Sequence, residues 1–250
     1  MKNQALSVTQ SGRGEAVILL HGWGMNAAVF EPLRVELARN NRVYCVDLPG
    51  YGSSRWDADL SFTDQVALVA SSLPAGRLLG WSMGGLYATQ LAQQYAGQFS
   101  QLTLVCCNPC FVRREDWDCA VDEAVFDAFG EALNRGWKST VKRFLTLQMH
   151  GNDNARQLTR ELMAGLETTG EPNIEALLFG LNLLKQNDSR PLLASLDLPI
   201  KMILGGRDIL VPHNLAKEIV HINPRIQVES LAFAAHAPFL SHTDQFLTML

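Results

Sequence analysis

The chain alternates between short apolar runs and segments with helical periodicity, and this alternation restricts the possible folds more than any other feature. Six runs have the length and residue types of buried strands: residues 16–20, 43–46, 78–81, 102–106, 200–204 and 226–231. Amphipathic stretches lie between or after them, at residues 29–38, 62–73, 86–95 and 215–220 and from residue 239. The alternation predicts an α/β fold, with a mainly parallel central sheet and helices on both of its faces.

The alternation stops between about Phe111 and Pro191. Helical stretches follow one another there, with no convincing strand between them. We interpret residues 111–190 as an inserted helical lid, and residues 1–110 and 191–250 as one core domain. A chain of 250 residues with 47% hydrophobic residues is long enough to bury a core of that size.

Charge and hydropathy exclude several kinds of partner. A net charge of -4 and a pI near 5.9 argue against nucleic acid or an anionic membrane as the main partner. The first residues lack the continuous apolar segment of a signal peptide, and no later stretch is long enough to span a bilayer. We therefore expect a soluble cytoplasmic protein, and nothing in the sequence requires it to be other than a monomer.

Three of the five cysteines form the run CCNPC: Cys106, Cys107 and Cys110. No second cluster and no nearby histidine completes a zinc site at this spacing. The odd number of cysteines and the expected compartment indicate reduced, mostly buried thiols. We expect neither a metal nor an organic cofactor.

The stretch Gly80-Trp81-Ser82-Met83-Gly84 matches G-x-S-x-G, in which a serine stands at a sharp turn between a strand and a helix. An apolar run precedes this stretch and a helical one follows, which is the context that the motif requires. A plain glycine-rich turn is the alternative. A serine hydroxyl becomes a strong nucleophile only with a base and a third group that orients the base. Ser82 as nucleophile therefore requires a histidine and a carboxylate.

Both partners are present in the expected chain order, in which the acid and then the histidine follow the serine. Asp208 comes after the predicted strand at residues 200–204, although a turn or helix-capping carboxylate is the ordinary alternative. His236 comes after the predicted strand at residues 226–231. Both side chains then lie where the ends of parallel strands place catalytic groups.

The other acids and histidines fit this order less well. Asp188 and Asp197 precede the strand that leads to Asp208. His242 falls within the predicted final helix. The remaining histidines precede the serine or lie in predicted helices, where a hydrogen-bonded or solvated imidazole is the ordinary role: His21, His150, His213 and His221.

An oxyanion formed during acyl transfer needs hydrogen-bond donors. The backbone N–H of Met83, directly after Ser82, is one candidate. The second candidate is the N–H of Trp23, in the loop His21-Gly22-Trp23-Gly24 that follows the first predicted strand. A glycine turn with an apolar tryptophan is the alternative. The two roles are compatible, because the ring can line an acyl pocket while the amide binds charge.

These residues resemble the α/β-hydrolase family. The matching segments are LLHGWG, VDLPGYGSS, GWSMGG, GGRDILVP and AAHAPF, which together extend over nearly the whole chain. Ala235 departs from the family pattern, since glycine usually precedes the catalytic histidine, and the substitution slightly tightens that turn. The resemblance implies an α/β-hydrolase fold with Ser82, Asp208 and His236 as the triad and Trp23 and Met83 as the oxyanion hole.

A second set of segments, LLHGWGMNAAVF, GWSMGGL, NPCF, RFLTLQ and FAAHAPFLSH, is similar to the family's esterases that act on pimeloyl-[acyl-carrier protein] methyl ester in biotin biosynthesis. The resemblance implies a serine carboxylesterase whose partner is an acyl carrier protein bearing the substrate, with small-molecule esters as further substrates. It implies these substrate-binding residues: Trp23, Ser82, Met83, Phe144, Leu145, Thr146, Leu147, Gln148 and His236.

Residues 135–160 carry six basic side chains against one acid, in a protein of net charge -4. Lys138 and Lys142 are four residues apart, as are Arg156 and Arg160, so each pair shares a helix face. A solvated charged face is the ordinary meaning of such a run. The resemblance favours docking of an acidic carrier protein by electrostatic steering. The implied docking residues are Lys138, Lys142, Arg143, Arg156 and Arg160.

Other functions are compatible with the same residues, because a fold does not decide a function. A broad-specificity carboxylesterase, a lactonase and a C–C bond hydrolase would all use this scaffold. A C–C hydrolase would cleave a diketone and fail on simple alkyl esters. A dehalogenase would carry aspartate in place of Ser82. A ligand receptor that retains the triad but turns over slowly is an alternative of another class, although no partner-recruiting segment is evident.

Overall fold

The computed structural model describes residues 6–149, 154–168 and 172–250. Within them the strands are Val8–Gly12 (β1), Ala16–Leu20 (β2), Arg42–Val46 (β3), Gly76–Trp81 (β4), Phe99–Val105 (β5), Ile200–Gly205 (β6) and Gln227–Leu231 (β7). These seven described strands form one sheet in the order β1-β3-β2-β4-β5-β6-β7.

The sheet is mainly parallel. Only β1 runs antiparallel to its neighbour β3, and every other pair of described strands is parallel. All five residues of β2 are buried, which explains why the chain has an uninterrupted apolar run there. The predicted α/β fold with a mainly parallel sheet is confirmed, and all six predicted strands are present.

Strand β1 was not predicted. Its sequence, VTQSG, has no apolar run, and its residues are half-buried or exposed. It pairs with only one neighbour at the edge of the sheet, so side-chain burial does not require an apolar pattern there.

Helices connect the strands. The described helices outside the segment between β5 and β6 are Glu31–Leu37 (α1), Phe62–Ser71 (α2), Met83–Gln94 (α3), Leu215–Ile222 (α9), Pro238–Ser241 (α10) and Thr243–Leu247 (α11). A 3₁₀ turn, Ala27–Phe30, precedes α1. The predicted single C-terminal helix is wrong in one respect, since the backbone leaves helical geometry at His242 (φ -137°, ψ 46°) and two short helices result.

Five helices follow one another between β5 and β6: Glu123–Leu133 (α4), Trp137–Gln148 (α5), Ala155–Thr168 (α6), Ile174–Gln186 (α7) and Arg190–Ser195 (α8). The described residues between β5 and β6 contain isolated bridges, such as Val112 with Val121, but no strand. The N–H of Ser189 donates to the carbonyl of Pro109 (2.8 Å), so the two ends of this helical segment lie side by side. The domain limits at residues 111 and 190 stay a prediction.

The core is one continuous cluster of buried apolar side chains, and it extends from the sheet into α4, α5 and α7. All five cysteines belong to the described residues, and each is buried with a free thiol: Cys45, Cys106, Cys107, Cys110 and Cys119. Among the described residues, no helix has both the length and the apolar character needed to cross a membrane.

Candidate active site

Ser82 stands at a strained turn between β4 and α3. Its backbone has φ 54° and ψ -121°, a region that residues with a side chain rarely adopt. A Cβ at Gly84 would lie 2.1 Å from the carbonyl oxygen of Leu20, and one at Gly80 would lie 2.5 Å from the carbonyl oxygen of Gly84. Only glycine fits at either position. The two glycines of the motif thus permit the close packing that holds the serine at this turn.

The loop after β2 lies against the same turn, since a Cβ at Gly22 would lie 3.2 Å from the Cβ of Ser82. Two backbone amides are available beside the serine. Met83 is the first residue of α3, so its N–H has no helical carbonyl to bond. The N–H of Trp23 donates to no described residue. The structure therefore brings both predicted oxyanion donors to the loops around Ser82.

The buried side chain of His21 holds the loop after β2 in place through two hydrogen-bond contacts. Its Nδ1 lies 2.8 Å from the carbonyl oxygen of Gly22, and its Nε2 accepts the N–H of Leu48 at 3.0 Å. These contacts require a neutral imidazole with the proton on Nδ1. Burial lowers the pKa of His21, which favours the same neutral form. The role of His21 is therefore to position the loop that carries Trp23.

Asp208 and His236 form a buried hydrogen-bonded pair. The Nδ1 of His236 lies 2.6 Å from the Oδ2 of Asp208, and both side chains are shielded from solvent. The other carboxylate oxygen, Oδ1, accepts the backbone N–H groups of Leu210 (2.8 Å) and Val211 (3.0 Å). The carboxylate is therefore fixed in orientation, and the remaining ring nitrogen, Nε2, is the one free to act as a base.

Backbone contacts hold the His236 loop on two sides. The N–H of His236 donates to the carbonyl of Gln148 (3.1 Å), and its carbonyl accepts the indole N–H of Trp81 (2.7 Å). The preceding residue, Ala235, is not among the positive-φ residues of the chain, so alanine is accommodated where the family usually has glycine.

Cys106, at the end of β5, is a neighbour of the Asp208–His236 pair that the sequence did not indicate. Its backbone has φ 44°, and ligand atoms of Cys106, Asp208 and His236 all lie within 4.8 Å of one another. Burial and the Asp208 carboxylate raise the pKa of its thiol, so the thiol stays protonated. The sequence did not predict the contact between Cys106 and the Asp208–His236 pair, because Cys106 looks like the end of an ordinary apolar strand.

Helices α5 and α7 cover the site. The indole Nε1 of Trp23 donates to the carbonyl of Leu177 in α7 (2.8 Å), and the Phe144 ring of α5 lies edge-on to the Trp23 ring at 4.8 Å. Ser82 is only 2% exposed, and His236 is fully buried. The described structure therefore shields Ser82 and His236 from solvent beneath these helices.

The structure divides the five residues of α5 that the resemblance implies as substrate-binding. Phe144, Leu145 and Gln148 are buried on the face that meets the site. Thr146 is exposed and lines a groove between α5 and α6. Leu147 is half-buried and lines a separate groove between α4 and α5. Of the five, Phe144 contacts Trp23 and Gln148 contacts His236, and Leu145 is buried on the same face of α5.

The predicted docking residues are also divided. Lys142, Arg156 and Arg160 line the α5–α6 groove, which has a volume of about 490 Å³. Lys138 forms an ion pair with Glu167 at 3.0 Å. The Arg143 guanidinium lies over the Phe129 ring, 5.7 Å from its centroid, and lines the α4–α5 groove instead.

The rival acids and histidines lie elsewhere. Asp188 pairs with Arg190 and Asp197 with Arg225. His221 is exposed on α9 beside Glu218, and His213 lies in the turn before α9. His242 contacts Ser241 at the break between α10 and α11, not inside a helix as predicted. His150 lies outside the described residues.

Comparison with known proteins places these features in context. Residues 17–248 match the model of the alpha/beta hydrolase family. The chain is 41% identical over 235 residues to a pimeloyl-[acyl-carrier protein] methyl ester esterase from Xanthomonas oryzae pv. oryzae, covering 94% of this chain and 92% of the relative. It is 40% identical over 241 residues to an esterase of the same name from Serratia marcescens, covering 96% and 94% respectively.

The fold is also found among solved structures. An esterase from Exiguobacterium antarcticum superposes with a TM-score of 0.88 and 23% identity, covering 97% of this chain and 92% of that one. At this identity the likeness establishes a shared fold alone. The predicted α/β-hydrolase fold is confirmed.

Proposed function

The chain belongs to the alpha/beta hydrolase family, and from that premise we propose that it is a serine carboxylesterase acting on pimeloyl-[acyl-carrier protein] methyl ester. The products are pimeloyl-[acyl-carrier protein] and methanol, and the reaction belongs to biotin biosynthesis. The observation that carries this proposal is the buried Asp208–His236 pair, whose imidazole ring lies 5.8 Å from the ring of Trp81, the residue directly before Ser82. Such a pair is the base system that a serine nucleophile needs.

In the acylation half of the reaction, His236 Nε2 removes the proton of Ser82 Oγ, and Oγ attacks the ester carbonyl carbon. The N–H groups of Trp23 and Met83 donate to the resulting oxyanion. The protonated His236 then gives its proton to the departing methoxy oxygen, and methanol leaves. Asp208 holds Nδ1–H in place and stabilises the imidazolium without taking the proton.

In the second half, water attacks the acyl-enzyme with His236 again as the base. The same two amides stabilise the second tetrahedral intermediate. Collapse of this intermediate returns the proton to Ser82 Oγ and releases the carboxylic acid. No step requires a metal or an organic cofactor.

The helical segment at residues 111–190 acts as the lid in this proposal. The Phe144 ring lies against Trp23, and Leu145 is buried on the same face of α5, an apolar surface that suits the methylene chain of a pimeloyl group. The exposed Thr146 and the half-buried Leu147 would meet the acyl chain only after the lid moves.

The partner is an acyl carrier protein bearing the substrate, docked on the lid. Lys142, Arg156 and Arg160 converge on one groove, and a positive groove on a chain of net charge -4 suits an acidic partner. Lys138 borders this face but is already paired with Glu167. Arg143, in the other groove, extends the docking face only if the carrier covers both grooves.

We further propose that the enzyme acts in the cytoplasm as a monomer. Five free thiols suit a reducing compartment.

The test of this function is a ratio of kcat/KM values, for a carrier-bound pimeloyl methyl ester over a short free ester, at low and at high salt. We expect a strong preference for the carrier-bound ester that falls as salt screens the docking charges. A preference for the free ester that salt does not change would refute the carrier-bound substrate while leaving a serine esterase. Cleavage of a diketone without ester hydrolysis would indicate a C–C hydrolase instead.

A further inference from the structure

Gln148 is the last residue of α5, and its carboxamide is buried without a hydrogen-bond partner. Among the described residues, five buried side-chain polar atoms have no partner. Two of them are the Nε2 and Oε1 of Gln148, and a third is the Nε2 of His236. A buried amide without a partner costs free energy, and native proteins rarely retain one without a function. Gln148 and His236 are two of the four side chains to which these atoms belong, and the backbone hydrogen bond between them places these two residues side by side at the proposed site.

The position of Gln148 follows from the buried face of α5. That face consists of Thr140, Val141, Phe144, Leu145 and Gln148. Val141 packs near Gly24, since a Cβ at Gly24 would lie 3.6 Å from its Cγ1, and the Phe144 ring meets Trp23. At the other end of the same face, the carbonyl of Gln148 accepts the N–H of His236 at 3.1 Å. The face thus extends from the loop that carries the Trp23 amide (residues 21–24, the oxyanion loop) to His236, the proposed catalytic base, and Gln148 lies at the His236 end.

The second half of the proposed reaction needs an acceptor that the triad does not supply. An attacking water donates one hydrogen to His236 Nε2, and its other hydrogen needs a second acceptor if the oxygen lone pair is to point at the acyl carbon. Asp208 is unsuitable, because its carboxylate is bonded to Nδ1 of His236, on the side of the ring away from Nε2. The amides of Trp23 and Met83 only donate. Ser82 Oγ is esterified at this stage.

We propose that Gln148 is a further catalytic residue, whose Oε1 accepts the second hydrogen of the hydrolytic water and so directs that water at the acyl-enzyme. This role rests on the proposed serine esterase function. The water oxygen forms a bond to the acyl carbon while its other proton passes to His236 Nε2. The bond between the acyl carbon and Ser82 Oγ then breaks, and His236 returns the proton to Oγ. The hydrogen held by Gln148 leaves on the product carboxyl group.

The arrangement favours water over an alcohol as the nucleophile. Methanol has one O–H, which His236 needs, so its methyl group would face the Gln148 carboxamide and leave Oε1 without a donor. The enzyme therefore binds water for the second step better than it binds the methanol released by the first.

The test separates acylation from deacylation in Gln148→Met, which keeps the side-chain length but removes both polar atoms. With a short-chain p-nitrophenyl ester in stopped flow, we expect the nitrophenolate burst rate to change less than about threefold, and deacylation to slow at least about tenfold. With added methanol, the ratio of methyl ester to free acid should rise. Gln148→Glu retains an acceptor oxygen and should recover part of the deacylation rate.

Gln186→Met is the matched control, because Gln186 is the last residue of α7 and is exposed. It should leave both rates and the product ratio unchanged. An equal loss of acylation and deacylation in Gln148→Met, or an unchanged product ratio, would overturn the proposed role.

The wild-type protein provides a measurement that does not depend on the folding of a variant. We expect its acyl-enzyme to react with methanol no faster, per mole of nucleophile, than with water. A large excess of methanolysis would contradict the proposal. The p-nitrophenyl ester needs only the triad, so failure on a carrier-bound ester would refute the proposed substrate without deciding the role of Gln148.

Discussion

The indole Nε1 of Trp23 donates a hydrogen bond to the backbone carbonyl of Leu177, 2.8 Å away, and thereby joins the oxyanion loop to helix α7. The hydroxyl of Tyr51 donates to the neighbouring carbonyl of Ala176 at 3.2 Å. Both acceptors lie in the first turn of α7. The position of this helix and the position of the Trp23 amide are therefore coupled.

Gly180→Ala should break this contact between α7 and the site. A Cβ at Gly180 would lie 2.4 Å from the Tyr51 hydroxyl oxygen and 2.7 Å from Cδ1 of Trp23, so the helix must shift. We expect the free energy of unfolding to fall by about 1–3 kcal/mol, and kcat/KM on a free ester to fall as well. Urea denaturation and an esterase assay measure the two effects.

Gly130→Ala, in the middle of α4, is the matched control. Nothing lies within 4 Å of a Cβ at that position. This variant should gain about 0.5–1 kcal/mol of stability with unchanged activity. If both alanine variants lose stability equally, the contact at Gly180 is not the cause.

Asp208→Asn should place the proton of His236 on Nε2 instead of Nδ1. The N–H groups of Leu210 and Val211 would select the amide oxygen of the new side chain, which turns its NH₂ group toward His236 Nδ1. Nδ1 must then accept, and Nε2 carries the proton and cannot act as a base. We expect kcat to fall by about 10³–10⁴-fold. A loss below tenfold, in a variant whose urea midpoint matches the wild type, would argue against this triad.

Two substitutions of Ser82 should differ in stability. Both Ser82→Ala and Ser82→Gly remove the nucleophile, and we expect both to abolish turnover while retaining the fold. Only glycine adopts φ 54° without strain, so Ser82→Gly should be more stable than Ser82→Ala by about 1–2 kcal/mol. At positions with negative φ, a glycine variant is usually less stable than the alanine variant. Denaturation midpoints showing alanine to be the more stable would contradict the strain at this turn.

His21 should make stability depend on pH. Burial holds its folded-state pKa below the unfolded value of about 6.5, so the unfolded chain binds more protons as the pH falls below that value. The free energy of unfolding should therefore decrease below about pH 6.5. His21→Asn should be less stable at pH 7.5 but show a flatter pH dependence between pH 7 and pH 5. Parallel curves for the two proteins would exclude His21 as the source.

Charge reversal in the α5–α6 groove should affect only carrier-bound substrate. For Arg156→Glu and Arg160→Glu we expect kcat/KM on the carrier-bound ester to fall at least about tenfold, with a weaker dependence on salt. Activity on a free ester should not change. Arg39→Glu, at an exposed position after α1, is the control for net charge. An equal effect of all three variants would indicate long-range attraction without a docking site.

Sequence patterns predicted the alternating strands and helices, and the triad residues whose order along the chain is fixed by the fold. The run AVILL predicted β2 because that strand is buried throughout. The sequence VTQSG gave no strand signal for β1, because that strand lies at the edge of the sheet and is half-buried or exposed. Asp208 and His236 were identifiable because each follows a strand at the same edge of a parallel sheet. The distance of 2.6 Å between His236 Nδ1 and Asp208 Oδ2 in the structure agrees with that reasoning.

Contacts between residues that are far apart in the chain could not be predicted from a sequence pattern. Gln148 and His236 are 88 residues apart in the chain and meet only because α5 packs against the loops that carry Trp23 and His236. The proximity of Cys106 to Asp208 depends on the pairing of β5 with β6. The charge pattern grouped Arg143 with Lys142, although a helix turns about 100° between successive residues and directs them to different grooves.

The five buried thiols can report local opening of the structure, because each becomes reactive when its surroundings open. Burial raises the pKa of Cys45 and of Cys119 to about 12, and the native thiols should therefore react with alkylating reagents only when the surrounding structure opens. Cys45 reports on strand β3, Cys106 on the environment of Asp208, and Cys119 on the start of the helical segment. The order in which mass spectrometry detects their alkylation therefore ranks these regions by how often each is exposed to solvent.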